Sequence, residues 1–419
     1  VFVIKLKNFN TFTATLAVAA FASGLTDMFR RFNVGPITFQ GFLTIIAAVV
    51  SILLVFARAK IPKATFLMIW LVLFVILGCA NLIWFSQTSS IPIQLALQNL
   101  LVFVAFVGFL LLSSIESYRN PHLLWYVNKG ILYAALFAVV IYTFSLLIGG
   151  FGTSILMGAR SFALFSLIGQ TWFLAKWRYG SSRAMWFAIF NTIIIALSYS
   201  RTATILAIIL YPISQISLKD LSQGLMRLAL WILGIALIAY LAFNYVEPIR
   251  ARFTEQGDNA TVGGVKINTS GRNDLWPTVL NSAQESPWIG KGPGSVSTAI
   301  LKVNKVAGHP HNDYLRILHD YGYIGLFLWL VGYYGLMCKT CRNWNWANRY
   351  DRNNAHIHLA AFLSSLIIGL AMLTDNVVVY LFVMLPVALL VGTSIGLGSR
   401  SQRLLKVQRR LNLINQNAC

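Results

Sequence analysis

Apolar runs of about 17–25 residues recur from one end of this chain to the other, and each is long enough to cross a bilayer as a helix. Inside hydrocarbon the backbone must satisfy its own hydrogen bonds, which a helix does. Charged residues make up only 11% and mean hydropathy is +0.69, where soluble domains carry about 25% charge. The expected fold class is therefore an all-α polytopic membrane protein. About twelve spans are read at 11–28, 38–57, 64–85, 91–113, 124–148, 161–177, 184–199, 202–217, 228–246, 322–338, 355–373 and 376–398. The links inside the pairs 184–199/202–217 and 355–373/376–398 are very short.

A formal charge of +21 invites a nucleic-acid partner, but the basic residues sit singly or in small groups between spans. No basic stripe alternates with aromatics, so no nucleic acid is expected. The charges set orientation instead. With the N-terminus inside, Arg58, Lys60, Lys63, Lys176, Arg178, Arg183, Lys219, Arg227, Lys339, Arg342, Arg349, Arg352 and the tail Arg400–Arg410 share the cytoplasmic side. The opposite short loops hold Arg30, Arg31, Arg160 and Arg201. Both termini are thus expected in the cytoplasm. Lys5, Lys7 and the apolar run after them imitate a secretory signal, but spans follow at once, so an uncleaved first span is expected.

Four cysteines, Cys79, Cys338, Cys341 and Cys419, imply no disulfide framework. Cys338-Lys339-Thr340-Cys341 has redox or zinc spacing without a second pair or a βαβ setting, and is read as incidental. Trp84, Trp125, Trp172, Trp177, Trp186 and Trp329 fall near span ends, as interfacial anchors do.

One connection stands apart. About seventy-five residues separate the span ending near Val246 from the one starting near Gly322, and loops this long are usually functional. The chain divides into a bundle of about nine spans (1–246), a loop domain (247–321), a bundle of about three spans (322–398) and a basic tail (399–419). The loop gathers Arg250, Arg252, Lys266, Arg272, Asp274, Glu285, Lys291, His309, His311, Arg316 and Asp320. Ser270-Gly271-Arg272 reads as a turn leading into a helix. The Gly/Pro-rich turn Pro287–Gly294 can bring backbone N–H groups to an anion.

The densest chemistry lies in His311–Gly325, which runs straight into an apolar segment. Asp313 and Arg316 are spaced i,i+3, and Arg316 and Asp320 i,i+4, as in a salt-bridged helix face. That face is either ordinary or the support of His311, whose imidazole is a competent general base near neutrality. His309-x-His311 has metal-ligand spacing, but no Asp-x-Asp occurs and no third ligand stands at helical spacing, so no metal is expected. Arg160 and Arg201, at the outer ends of apolar runs, either snorkel or bind an anion. With Arg272 they supply three guanidinium forks suited to a diphosphate.

His311-Asn312, nine residues, Gly322, two residues and Gly325 resembles the His-Asn/Ser/Gln-x9-Gly-x2-Gly pattern of bacterial O-antigen ligases. The resemblance extends to about twelve spans, the large loop before the third-last span, Ser270-Gly271-Arg272, Gly290-Lys291-Gly292 and arginines at positions like Arg160 and Arg201. It implies a glycosyltransferase-C-like fold with a periplasmic loop in a bacterial inner membrane. It further implies transfer of a glycan from undecaprenyl diphosphate to lipid A–core oligosaccharide in lipopolysaccharide biosynthesis, without a cofactor. By that resemblance His311 is the base, Arg160, Arg201 and Arg272 hold the diphosphate, and Asn312, Asp313, Arg316, Gly322 and Gly325 support them. A reaction at the membrane rim is expected, because both substrates are amphiphiles held in one membrane; it is expected to be metal-independent, with guanidinium groups doing the work of a cation, and, as a direct displacement, inverting. A polysaccharide polymerase or a protein O-glycosyltransferase of the same superfamily remains an alternative. A transporter is disfavoured, since its midplane site would put ionisable groups inside the spans.

Overall fold

The computed structural model describes residues 10–418 except 59, 87–90, 217–220, 246, 248–249, 251–253, 255–260, 263–264, 267–271 and 305–307. Ser270 and Gly271 of the Ser-Gly-Arg turn, Arg252 and Cys419 therefore lie outside the described residues, whereas Arg272 lies inside them.

Among the described residues each expected apolar segment contains a helix: α1 (Thr11–Ser23), α2 (Phe39–Phe56), α3 (Ile69–Ser86), α4 (Ile93–Arg119), α5 (Leu123–Gly149), α6 (Ala159–Arg178), α7 (Ser182–Leu197), α8 (Arg201–Gln215) and α9 (Leu221–Tyr245). The long connection contributes α10 (Arg272–Ala283) and α11 (Ser295–Val303), and the chain ends in α12 (Asp313–Tyr350), α13 (Ala355–Ala371) and α14 (Leu381–Ala418). Seven of these, α2, α3, α4, α5, α12, α13 and α14, are long and apolar enough to cross a membrane by length and composition. Two antiparallel hairpins of two-residue strands, Asn33–Val34 with Ile37–Thr38 and Thr261–Val262 with Val265–Lys266, and three short 3-10 helices, Thr26–Phe29, Lys63–Met68 and Arg352–Asn354, complete the described elements.

The centre of the bundle is α4 against α14. A Cβ added at Gly396 would meet the Ser114 carbonyl oxygen at 2.1 Å, so a side chain there would separate the helices. Small residues at such crossings are how membrane helices approach closely. Ser113 Oγ donates across the seam to the Ala388 carbonyl at 3.3 Å.

Trp329 departs from its expected interfacial place. It is fully buried, packed with Phe74, Phe103, Phe106 and Tyr333, and it joins α12 to α3 and α4. Trp172 is also buried, while Trp84, Trp125 and Trp186 are exposed as belt residues would be.

α12 fuses two segments expected to be separate. It runs from the polar motif into the apolar span and bends at Gly322, the one non-helical residue inside it, with φ 68°. The kink falls where loop domain and second bundle were expected to meet.

Candidate functional site

Asn312 starts α12. Its Oδ1 accepts from the backbone N–H groups of Tyr314 at 3.0 Å and Leu315 at 3.1 Å, which satisfies donors a helix start leaves free. Asp313, wholly buried, turns back to the connection between α13 and α14. Its Oδ2 accepts from Val377 N–H and from Val378 N–H at 3.0 Å, and its own N–H donates to the Met372 carbonyl at 2.8 Å. Residues 372–380 are thereby folded over the motif.

The expected Asp313–Arg316 pair forms, at 3.3 Å. Arg316 is 1% exposed and also donates to Asn99 Oδ1 of α4 at 3.1 Å and to His309 Nδ1 at 2.9 Å. The i,i+4 partner differs from expectation: Asp320 accepts from Gly294 N–H, Ser295 Oγ and Val296 N–H, each at 2.8 Å. An N-terminal turn of α11 offers it several donors at once, where Arg316 is already occupied. His319 lies in the same network, with Nδ1 near Ser295 Oγ and Nε2 near Ser282 Oγ, both at 3.0 Å. His319 and Asp320 therefore fasten α11 and α10 to α12.

The Pro287–Gly294 turn docks on the kink. Tyr323 and Ile324 N–H donate to the Pro287 and Trp288 carbonyls at 2.8 and 3.1 Å, and Lys291 and Gly292 N–H donate to the His319 and Asp320 carbonyls at 3.0 Å. A Cβ at Gly290 would sit 2.4 Å from the Asp320 carbonyl carbon, and one at Gly322 2.3 Å from that of Trp288. Backbone meets backbone at both places. These N–H groups are spent on the helix, so the turn serves as a brace for the motif where sequence alone allowed an anion nest.

His311 has φ 54°, the left-handed region that a non-glycine residue occupies at a cost of about 1–3 kcal/mol unless its surroundings hold it. The holder is Asn376: His311 N–H donates to its Oδ1 at 3.0 Å, and its Nδ2 donates to His311 Nδ1 at 3.2 Å. Arg160 Nη2 donates to the same Nδ1 at 2.9 Å and is ion-paired with Asp375, which is 5% exposed. Two donors on Nδ1 fix it as the acceptor, so the neutral ring carries its proton on Nε2. Burial first, then the charges of Arg160, Arg272 and Arg316, push the His311 pKa down to about 4. His309, pushed down to about 3 by burial and then by Arg316, Arg160 and His311, is likewise neutral near pH 7. The Nδ1 atoms of this His-x-His pair both face guanidinium N–H groups. No three His, Cys, Asp or Glu side chains gather as potential metal ligands among the described residues.

The three arginines come together around residues 374–376. Arg272, first residue of α10, donates to the Thr374 carbonyl at 2.8 Å. Arg160 pairs with the neighbouring Asp375. Arg201, first residue of α8, shares with Arg272, Asn273, Thr202 and Thr374 the polar end of a cavity of about 900 Å³. The other walls are apolar, chiefly Ile205, Leu206, Ile209, Leu280 and Leu373. Arg160 and His311 do not line the cavity; they stand beside it, linked through Thr374–Asn376. α6 and α8 both begin at this end, and helix N-termini favour anions.

Sequence patterns missed Asp375, Asn376 and Asp27. Asp27 anchors the start of α6, its Oδ2 accepting from Gly158 N–H at 2.8 Å and its Oδ1 from Ser161 Oγ at 2.9 Å, on either side of Arg160. The available signal was chemical scarcity: in a chain with 12 Asp and Glu residues, an acid inside a short link between apolar segments carries a cost and calls for a partner.

Residues 184–330 match the family model described as O-Antigen ligase. The chain is also similar to an O-antigen ligase of Pseudomonas aeruginosa (strain PAO1), 28% identical over 130 residues, which is 31% of this chain and 27% of that relative. The matched stretch thus spans about a quarter of the relative's length. The family match holds Arg201, Arg272, His311 and Gly325 and ends within α12.

Proposed function

We propose that this chain, which carries an O-antigen ligase family segment over residues 184–330, transfers a glycan from undecaprenyl diphosphate to lipid A–core oligosaccharide. The reaction takes place at the periplasmic rim of the bacterial inner membrane. The observation that carries this reading is the cavity of about 900 Å³ with Arg201 and Arg272 at one end and apolar walls beyond. It fits a ligand that is a diphosphate at one end and a polyprenyl chain at the other. Arg160 and His311 stand next to that polar end, linked to it by Thr374–Asn376.

In this mechanism Arg201 and Arg272 grip the diphosphate and Arg160 leaves Asp375 and His311 to join them. Guanidinium forks neutralise the charge that grows on the leaving group, as a metal ion does elsewhere. Departure of Arg160, with the Asn376 Nδ2 group turning away as well, frees the His311 Nδ1 lone pair. The acceptor hydroxyl oxygen attacks the anomeric carbon, its proton passes to Nδ1, and the bond to the diphosphate breaks with its electron pair leaving on undecaprenyl diphosphate. Attack from the far face inverts the anomeric configuration.

The test is the lipopolysaccharide ladder of a deletion strain carrying His311→Ala, together with turnover by purified protein in excess EDTA. A positioned base contributes about 10²–10⁴-fold, so the ladder should vanish over intact core while lipid-linked glycan accumulates. Turnover of the unaltered protein should persist under chelation. A core bearing a single repeat unit would reassign the chain as a polymerase, and a normal ladder would remove His311 from the chemistry. Loss of turnover in EDTA with recovery on added magnesium would reject the arginine account.

A further inference from the structure

At the opposite end of α6 from Arg160 lies a second cavity, of about 700 Å³, between the starts of α5, α7 and α13 and the end of α6. Sixteen residues of helix, about 24 Å at ~1.5 Å per residue, separate Arg160 from Lys176, so this cavity and the candidate site lie at opposite ends of α6. Lys129, Lys176 and Arg183 line it, together with His122 and His356, and no Asp or Glu does. Lys129 and Lys176 lie over the rings of Tyr133 and Trp172, at 5.7 and 5.4 Å. None of the three cations has a carboxylate partner among the ion pairs of the described residues.

The walls change character with depth. Trp125, Asn128, Leu132 and Leu136 follow one face of α5, and Trp125 to Leu136 covers about 16 Å at ~1.5 Å per residue. Leu136 and Phe173 line the inner part, whereas Trp125, Lys129 and Arg183 stand near the helix starts. Asn128 is 7% exposed, and its Oδ1 has no hydrogen-bond partner. A polar, uncompensated positive end above an apolar slot matches neither bulk lipid chains nor a free small anion.

We propose that this cavity binds an anionic phospholipid of the leaflet opposite the candidate site, with its phosphodiester on Lys129, Lys176 and Arg183 and an acyl chain along Leu132, Leu136 and Phe173. Basic pockets between spanning helices are established places for acidic head groups. The cations lack counter-charges from the protein, so the lipid supplies one, and the exposed Trp125 ring beside them suits an interfacial position. A lipid held there braces the end of α6 remote from Arg160. The assignment is independent of the transfer reaction, since it uses no residue of the candidate site.

The test is native mass spectrometry of the full chain, released from nanodiscs of equal parts phosphatidylglycerol and phosphatidylcholine. Phosphatidylglycerol should be retained at least tenfold over phosphatidylcholine, and the K129Q/K176Q/R183Q variant should lose that preference. His311→Ala should keep it, which separates this lipid from any bound at the candidate site. Leu132→Trp, which narrows the slot while leaving every charge, should also weaken retention at least threefold and serves if the triple variant does not fold. Inorganic phosphate at millimolar concentration should not displace the lipid. Equal retention of the two lipids, undiminished preference in both variants, or displacement by phosphate alone would each overturn the proposal.

Discussion

Arg160 has two partners in the resting protein, Asp375 and His311 Nδ1, and both compete with an arriving phosphate. A guanidinium can hold two such acceptors in one plane, whereas an ammonium is a point charge. Arg160→Lys should therefore lower turnover at least tenfold, about 1.4 kcal/mol, with normal amounts of folded protein in the membrane; a near-normal rate would mean that this arginine only snorkels. The same contact sets a pH signature. A base works unprotonated, so the rate falls as pH falls through its pKa, and in the free protein that pKa is lowered from 6.5 to about 4 by burial and three arginines. A diphosphate neutralises those arginines and pulls the pKa back up. The acid limb of kcat/KM, which reports free enzyme, should lie well below pH 6.5, and that of kcat at higher pH; coincident limbs would remove Arg160 from any gating of His311. The sequence singled out His311, Arg160 and Arg272 as candidates, because their types at an expected membrane rim suit anion and proton chemistry. Asp375 and Asn376 were not singled out, because the link between the last two spans read as a bare turn. Only its folding over Asp313, more than sixty positions away, turns it into a wall of the site.

α12 carries most of the site's geometry in a single bend. Gly322 takes φ 68° with the Trp288 carbonyl against its Cα, so an added Cβ meets backbone that cannot move aside. Gly322→Ala should lower the thermal midpoint in detergent, with about 1–3 kcal/mol from the backbone conformation and more from the clash. Gly335 on the same helix has open space around it, and Gly335→Ala should be neutral or stabilising by helix propensity. Equal midpoints for the two variants would show that the bend places no demand on residue 322. The periodicity of apolar residues located the helices well, since spans are set by hydrocarbon thickness. It could not foresee that motif and span form one bent helix, nor that Asp320 abandons Arg316 for the start of α11. Both depend on the docking of residues 287–294, a tertiary event that no local spacing encodes.

At the scale of the whole molecule α4 acts as a ruler. Near its start Asn99 holds Arg316 of the motif at 3.1 Å. Near its end Glu116 accepts from Asn10 at 3.2 Å and pairs with Arg58, and the Arg119 carbonyl accepts from Arg400 at 2.8 Å. Asn99 and Glu116 are about 26 Å apart at ~1.5 Å per residue, close to the ~30 Å of a hydrocarbon core. The start of α1 and the basic end of α14 thus share one face, and the candidate site occupies the other. That arrangement needs an even number of crossings. The seven long apolar helices found among the described residues are odd in number, so we propose that some shorter or more polar helices cross as well. We propose from the basic residues gathered around Arg58, Arg119 and Arg400 that this face is the cytoplasmic one, as the positive-inside rule expects. Cysteine labelling with a membrane-impermeant maleimide, in a chain whose own four cysteines are replaced by serine, reads out both points. Gln284→Cys, exposed on the loop after α10, should react in intact spheroplasts. Thr11→Cys and Asn412→Cys, exposed at the two ends of the chain, should react only after lysis. Labelling of one terminus but not the other before lysis would reject the even count. Labelling of both termini with protection of Gln284→Cys would invert the protein and put the arginine site on the cytoplasmic side, where the proposed acceptor does not stand.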